Sequence, residues 1–243
     1  MLYFAYGSNL WLDQMASRCP NSHFVGRAIL PDYRWQINQR GFANVTECSG
    51  YSVHGLIYQI DEADEARLDR NEGVNSGAYS KRYLSVILHE AARSLRTRDI
   101  VQGGWPAVRL PAAAARRRGS TSTSELAPRL EPYVLVYLSE RFVEPGIARE
   151  EYVTRMNYGI RDALLLGVPE DFLQRFLRKH IPPRRLTPER ERDGRSRPAS
   201  RTPNQPREKR RAHSVSLAPR SRRTEGDEAS PPRVRTVSPP RYY

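Results

Sequence analysis

The sequence predicts an α+β domain, a small mixed β-barrel flanked by helices, followed by a disordered basic C-terminal tail. Three observations carry this reading. Short apolar segments of strand period recur between residues 2 and 89 and again at 132–138. Helical patterns interrupt and follow them. Beyond residue 182 the composition turns to Arg, Pro and Ser, with almost no apolar run.

The elements follow in order. Met1-Leu2-Tyr3-Phe4-Ala5-Tyr6 is a first strand that runs into Gly7-Ser8-Asn9, and residues 10–18 read as a short helix with Asn9 as its N-cap. Short strands are predicted at 26–30, 33–38 and 52–60. In the last, Val53, Gly55 and Ile57 alternate with His54, Leu56 and Tyr58, so both faces carry apolar residues, as in a closed or covered sheet. Residues 61–70 form an acidic helix capped by Asp61 and stopped by Gly73. Strand pattern returns at 79–89. Periodicity then fails between Ala92 and Glu131, which reads as a disordered surface insertion. Residues 132–138 make a strong strand. A helix over 149–166 follows, with Tyr152, Met156, Ile160, Ala163 and Leu164 on one face, and then Gly167-Val168-Pro169 and a last helix over 170–180.

Charge separates the domain from the tail. The 243 residues carry 40 Lys and Arg against 27 Asp and Glu, a formal net charge of +13, and residues 183–243 hold 17 of those cations and 7 of those anions. Residues 1–182 are therefore expected to form one domain and residues 183–243 a disordered tail that cannot offset its ordering entropy. The segment Arg207-Glu208-Lys209-Arg210-Arg211 is a weak nuclear-import or polyanion patch, and Thr187, Thr202, Ser230 and Ser238 each precede proline. Without interleaved aromatic residues the tail offers no stacking platform. Nucleic-acid binding beyond weak, salt-dependent polyanion contact is not expected.

No segment is long and apolar enough to span a membrane, and residues 1–3 lack the charged start of a signal peptide. Cys19 and Cys48 stand apart without a paired motif, which fits a reducing compartment, and the five histidines show no ligand spacing. The expectation is a soluble cytoplasmic protein, with nuclear access through the tail, no metal, no cofactor and no membrane partner.

Chemistry concentrates at residues 6–10. A glycine-bearing turn between a strand and a helix directs backbone N–H groups at one point and favours a carboxylate or another electron-rich oxygen. Such a turn is also ordinary strand-to-helix punctuation. Tyr6-Gly7-Ser8-Asn9-Leu10 together with Leu68-Asp69-Arg70-Asn71-Glu72-Gly73-Val74, Ser76-Gly77-Ala78-Tyr79, Tyr152, Gly159 and Gly167-Val168-Pro169 resembles the gamma-glutamylcyclotransferase family over about residues 2–90 and 132–178. That resemblance implies a small β-barrel flanked by helices. It also implies a cofactor-free enzyme that converts a small-molecule γ-glutamyl amino acid into 5-oxoproline and the free amino acid, a reaction of glutathione metabolism in the lyase or acyltransferase class.

The resemblance implies Glu72 as the acid/base. Its place at the end of the acidic helix, where the macrodipole disfavours negative charge, and a partly apolar pocket would both raise its pKa. Taken by itself, Glu72 reads as an exposed residue before a C′ glycine, and the paired motifs reverse that reading. Tyr6, Gly7, Ser8, Asn9 and Leu10 are expected to hold the substrate's α-carboxylate and γ-carbonyl oxygen. Tyr152 matches a pocket tyrosine of the family and is as compatible with core packing. Tyr6 and Tyr79 could line the same pocket or the core. His54 stands where the family often has an aromatic residue, and reads as a structural histidine or a second titrating group. Two other activities compete: cyclisation of γ-glutamylamines, and a catalytically silent binding module of the same fold.

Overall fold

The computed structural model describes residues 1–103 and 127–186. Five strands form one mixed sheet: β1 (Leu2–Ala5), β2 (His23–Ile37), β3 (Ala43–Gln59), β4 (Ser80–Arg96) and β5 (Arg129–Leu138). Their order is β1-β3-β2-β4-β5, with antiparallel neighbours throughout. The sheet closes on itself where β1 meets β5 in parallel through the single pairing of Tyr3 with Leu135. The expected barrel is thus a closed five-stranded sheet whose seam is one residue pair wide. Phe4, Phe24, Leu56, Ile57 and Val136 are wholly buried, and the consecutive Leu56 and Ile57 show that both faces of the sheet are covered.

Helices flank the sheet. They are α1 (Leu12–Arg18), α2 (Glu62–Glu72), α3 (Thr97–Gly103), α4 (Glu150–Leu165) and α5 (Glu170–Phe172), the last running on as a π-helical turn over Leu173–Leu177. Helix α2 follows its sequence signals closely. The Asp61 carboxylate accepts from the Asp64 N–H at 2.8 Å, and Gly73 ends the helix at φ +67°, a left-handed conformation that suits glycine.

Several expectations change. The two strands expected at 26–30 and 33–38 are one strand, because Pro31-Asp32 makes a bulge rather than a turn, with Asp32 at φ +58°. Strand β3 begins at Ala43, nine residues ahead of the expected start at residue 52. Alternation is lost over its first half because Ala43, Asn44 and Val45 are buried in succession and the following Glu47–Tyr51 are largely exposed, where the register with β2 shifts between Pro31 and Tyr33. Asn9 is not an N-cap. A 3-10 turn, Ser8–Leu10, precedes α1, and the Leu12 N–H donates to Asp162 Oδ2 of α4 at 2.9 Å, so a distant carboxylate occupies the helix start. Leu164 is exposed, although Tyr152, Met156, Ile160 and Ala163 are buried. The last helix is α-helical only to Phe172.

Part of the segment expected as a disordered insertion, 92–131, is ordered. Strand β4 and α3 carry order through Gly103, with Ile100 buried and the Thr97 N–H donating to the Ser22 carbonyl at 2.9 Å, and β5 begins at Arg129. Strand pairing there is long-range, which a local pattern does not register. The remainder of that segment lies outside the described residues. So does the tail from residue 187 onward. The domain end expected at 182 has order just beyond it, since the Arg184 N–H donates to Asn157 Oδ1 at 3.2 Å.

Candidate active site

Strand β1 delivers Tyr6 and the 3-10 turn to the mouth of the closed sheet, and α2 ends there at Glu72. Between them lies a cavity of about 250 Å³. Tyr6, Gly7, Ser8, Asn9, Glu72 and Tyr152 all border it, so the two sequence segments 63 residues apart share one space. Leu10 does not. It is buried beneath α4, where Gly159 allows close approach: a Cβ on that glycine would stand 3.1 Å from the Leu10 Cβ. Its N–H closes the turn onto the Gly7 carbonyl at 2.9 Å, and the Trp11 N–H closes onto the Ser8 carbonyl at 3.1 Å. The Leu10 and Trp11 N–H groups are thus spent within the turn, and the Ser8 N–H is directed at the Tyr152 hydroxyl.

Glycine at position 7 is required by contact. A Cβ there would meet the Tyr152 hydroxyl at 3.0 Å and the Ala43 Cβ at 3.4 Å. Tyr152 comes from the first turn of α4, its hydroxyl accepting from the Ala43 N–H at 3.2 Å and its ring packed edge-on against Phe42. Burial pushes the Tyr152 phenol up to about 12, so it is neutral at ordinary pH.

Glu72 is held by a chain of polar side chains. The Asn9 amide donates from Nδ2 to the Tyr3 hydroxyl at 2.8 Å and to Glu72 Oε1 at 3.4 Å, while its Oδ1 accepts from Gln14 at 2.9 Å and Arg18 at 2.8 Å. Arg18 Nη1 lies 3.6 Å from Glu72 Oε1. With 18% of the side chain exposed, the carboxylate is largely withdrawn from water and borders the cavity. Burial raises its pKa, and Arg18, the Asn9 amide and Arg155 pull it back. Desolvation, rather than the helix end, is the principal cause.

The other tyrosines are committed inward. The Tyr6 hydroxyl donates to the Tyr137 carbonyl at 2.5 Å, the Tyr79 hydroxyl to the Ala43 carbonyl at 2.6 Å, and the Tyr137 hydroxyl to Asp69 Oδ1 at 2.6 Å. Burial raises all three phenols. His54 stands apart from the cavity against Phe172, with ring centroids 4.8 Å apart, and burial lowers its pKa to about 4. It is a packed, neutral imidazole.

Sequence reasoning missed three arginines, Arg18, Arg40 and Arg155, which border the cavity from α1, the β2–β3 turn and α4. Arg155 was the most accessible to it, since a residue three positions after Tyr152 shares its helix face. Its Nη1 donates to Ser8 Oγ at 3.3 Å, and its guanidinium lies 5.0 Å from the Tyr152 ring. Among the described residues no group of three or more His, Cys, Asp or Glu side chains is arranged to hold a metal ion, and no helix is long and apolar enough to cross a membrane.

The motif segments at residues 6–10 and 68–79 fall inside a recognised domain, whereas Tyr152, Gly159 and Gly167-Val168-Pro169 lie beyond it. Residues 3–101 match the model of the gamma-glutamyl cyclotransferase, AIG2-like family. Over that stretch the chain is similar to the gamma-glutamylcyclotransferase family. The gamma-glutamylcyclotransferases of Bos taurus and Homo sapiens are 33% and 32% identical to it over 88 residues, 32% of this chain and 47% of theirs. The chain thus spans about half the length of the curated relatives it matches. A solved gamma-glutamyl cyclotransferase superposes with a TM-score of 0.52 at 20% identity, covering 77% of this chain and 91% of that one. An uncharacterized protein of Homo sapiens gives 0.51 at 22% identity with the same coverage. These likenesses carry the α+β fold, a five-stranded sheet flanked by helices.

Proposed function

We propose that this protein is a γ-glutamyl cyclotransferase that releases 5-oxoproline and a free amino acid from a γ-glutamyl amino acid, with Glu72 as its acid/base. The observation that carries the reading is the meeting of Glu72 with the Gly7-Ser8-Asn9 turn across one small cavity. In a γ-glutamyl group the α-amine lies five atoms from its own γ-carbonyl carbon, so the substrate supplies its nucleophile. What the protein must provide is position and proton transfer. Holding the chain folded raises the amine's effective concentration to about 10⁵ M or more in favourable cases.

The Gly7-Ser8-Asn9 turn holds the α-carboxylate and takes up the charge that grows on the γ-carbonyl oxygen. As the C–N bond of the lactam forms, the Glu72 carboxylate accepts a proton from the attacking amine. The protonated acid then delivers it to the leaving nitrogen as the amide bond breaks. A raised pKa suits both halves, because the group accepts and donates near working pH. Asn9 and Arg18 fix the carboxylate's orientation. Tyr152 closes the cavity beside Gly7.

Incubation with a panel of γ-glutamyl peptides, scored for 5-oxoproline, tests this reading. Product from at least one γ-glutamyl amino acid, with glutathione as one panel member, is the expected result. Binding without product at any pH would favour a silent module of the same fold. Cleavage of γ-glutamylamines alone would move the activity to that class.

A further inference from the structure

The cavity holds three arginines and one carboxylate. Two of the cations are already engaged. Arg18 faces Glu72 and Asn9, and Arg155 pairs with Glu151 at 2.8 Å while reaching Ser8 and Gln14. Arg40 is different. It borders the cavity from the β2–β3 turn, makes no ion pair among the described residues, and keeps its Nη1 buried without a hydrogen-bond partner among them.

The turn that carries Arg40 is fastened on both sides. The Asn38 N–H donates to the Phe42 carbonyl and the Gly41 N–H to the Asn38 carbonyl, each at 2.8 Å, and the Arg40 N–H donates to Asn38 Oδ1 at 3.0 Å. Arg149 Nε donates to the Arg40 carbonyl at 2.8 Å. The guanidinium rests against aromatic rings, 4.9 Å from the centroid of Phe142 and 5.8 Å from that of Phe42. A buried donor left unpaired is costly, and a fixed, planar guanidinium beside a cavity is a preformed seat for a carboxylate.

We propose that Arg40 binds the carboxylate of the leaving amino acid, and thereby selects γ-glutamyl amino acids over γ-glutamylamines that lack this group. The claim rests on the cyclotransferase reading above and names the part of the substrate that reading leaves unheld. The glutamyl half has its own partners in Glu72 and the Gly7–Asn9 turn. Arg18 faces Glu72 at 3.6 Å, whereas Arg40 enters the cavity from the β2–β3 turn and pairs with no carboxylate among the described residues.

The test compares γ-glutamyl-alanine with γ-glutamyl-ethylamide, which differ by that carboxylate, on the full chain and its Arg40→Met and Arg40→Lys variants. Arg40→Met should lose roughly 10–100-fold in kcat/KM on the dipeptide, mostly through KM, and less than about 3-fold on the ethylamide. Arg40→Lys should recover part of the loss on the dipeptide alone. Equal losses on both substrates would put Arg40 on the glutamyl half, and no loss on either would make it a bystander; both results overturn the proposal. Should the wild type release 5-oxoproline from neither, the cyclotransferase reading falls, and thermal shifts with the same two compounds decide the seat separately. A shift by the dipeptide that exceeds that by the ethylamide, and that Arg40→Met abolishes, upholds it; identical shifts overturn it.

Discussion

Helix α2 carries two carboxylates withdrawn from water, Asp64 in its first turn and Glu72 at its last residue, each with an arginine nearby, and the rest of their surroundings differ. Asp64 is wholly buried, neither of its oxygens has a hydrogen-bond partner among the described residues, and its cationic neighbour Arg67 stands 3.8 Å away. Glu72 opens into a cavity, accepts from Asn9 and faces Arg18. Burial raises both pKa values. A raised carboxylate is therefore no mark of a site in itself; the mark is a raised carboxylate with room beside it and donors converging on that room.

The sharpest way to break this contrast is activity. Glu72→Gln should cost about 10²–10⁴-fold in 5-oxoproline release, the usual worth of a positioned acid/base, whereas Asp64→Asn should stay within about 3-fold of wild type. Comparable losses in both would erase the distinction. A smaller effect is expected from crowding the cavity: Gly7→Ala puts a methyl group 3.0 Å from the Tyr152 hydroxyl and should cost roughly 10–100-fold in kcat/KM, with little change in melting temperature. An unaltered rate would mean that the Gly7–Tyr152 contact does not shape the site.

Stability should respond to pH in the same direction at both carboxylates. Each folded pKa lies above its unfolded value, so the native state binds more protons between the two. Their contribution is most favourable below the unfolded value of about 4, and it is lost as pH rises through the raised folded pKa. Asp64→Asn and Glu72→Gln should each flatten that fall, so that each variant gains on wild type in melting temperature from pH 4 to pH 8. A variant that loses ground over that range would show that its carboxylate is stabilising when charged. The smallest effect concerns the thiol near Asp64. Burial pushes Cys19 up to about 12, so at pH 8 in the folded protein Cys48 should react with a thiol reagent and Cys19 should not.

Much of the fold was legible because its signals are local. Asp61 and Gly73 bound α2 as their side-chain and backbone chemistry dictates, and the apolar alternation of residues 53–58 announced a strand buried on both faces. What escaped is non-local. The sequence reading ended β4 near His89, yet the strand runs on to Arg96, held by pairing with β2 that includes His23 with Arg96. Asn9 resembles an N-cap in every local respect, but Asp162 serves the start of α1 and frees the Asn9 amide for Glu72. Within the site, the glycine turn and Glu72 stood in recognisable motifs. The arginines did not, because Arg18, Arg40 and Arg155 lie on three separate elements and converge only through the closure of the sheet.

The most direct test of the central claim is single-turnover formation of 5-oxoproline from a γ-glutamyl amino acid that the wild type accepts, measured across pH for wild type and Glu72→Gln at saturating substrate. Wild type should show a rate limb governed by a carboxyl group titrating above the usual glutamate range, and the variant should bind substrate, lose about 10²–10⁴-fold in rate and lose that limb. A Glu72→Gln protein that turns over at the wild-type rate with the limb intact would contradict the account.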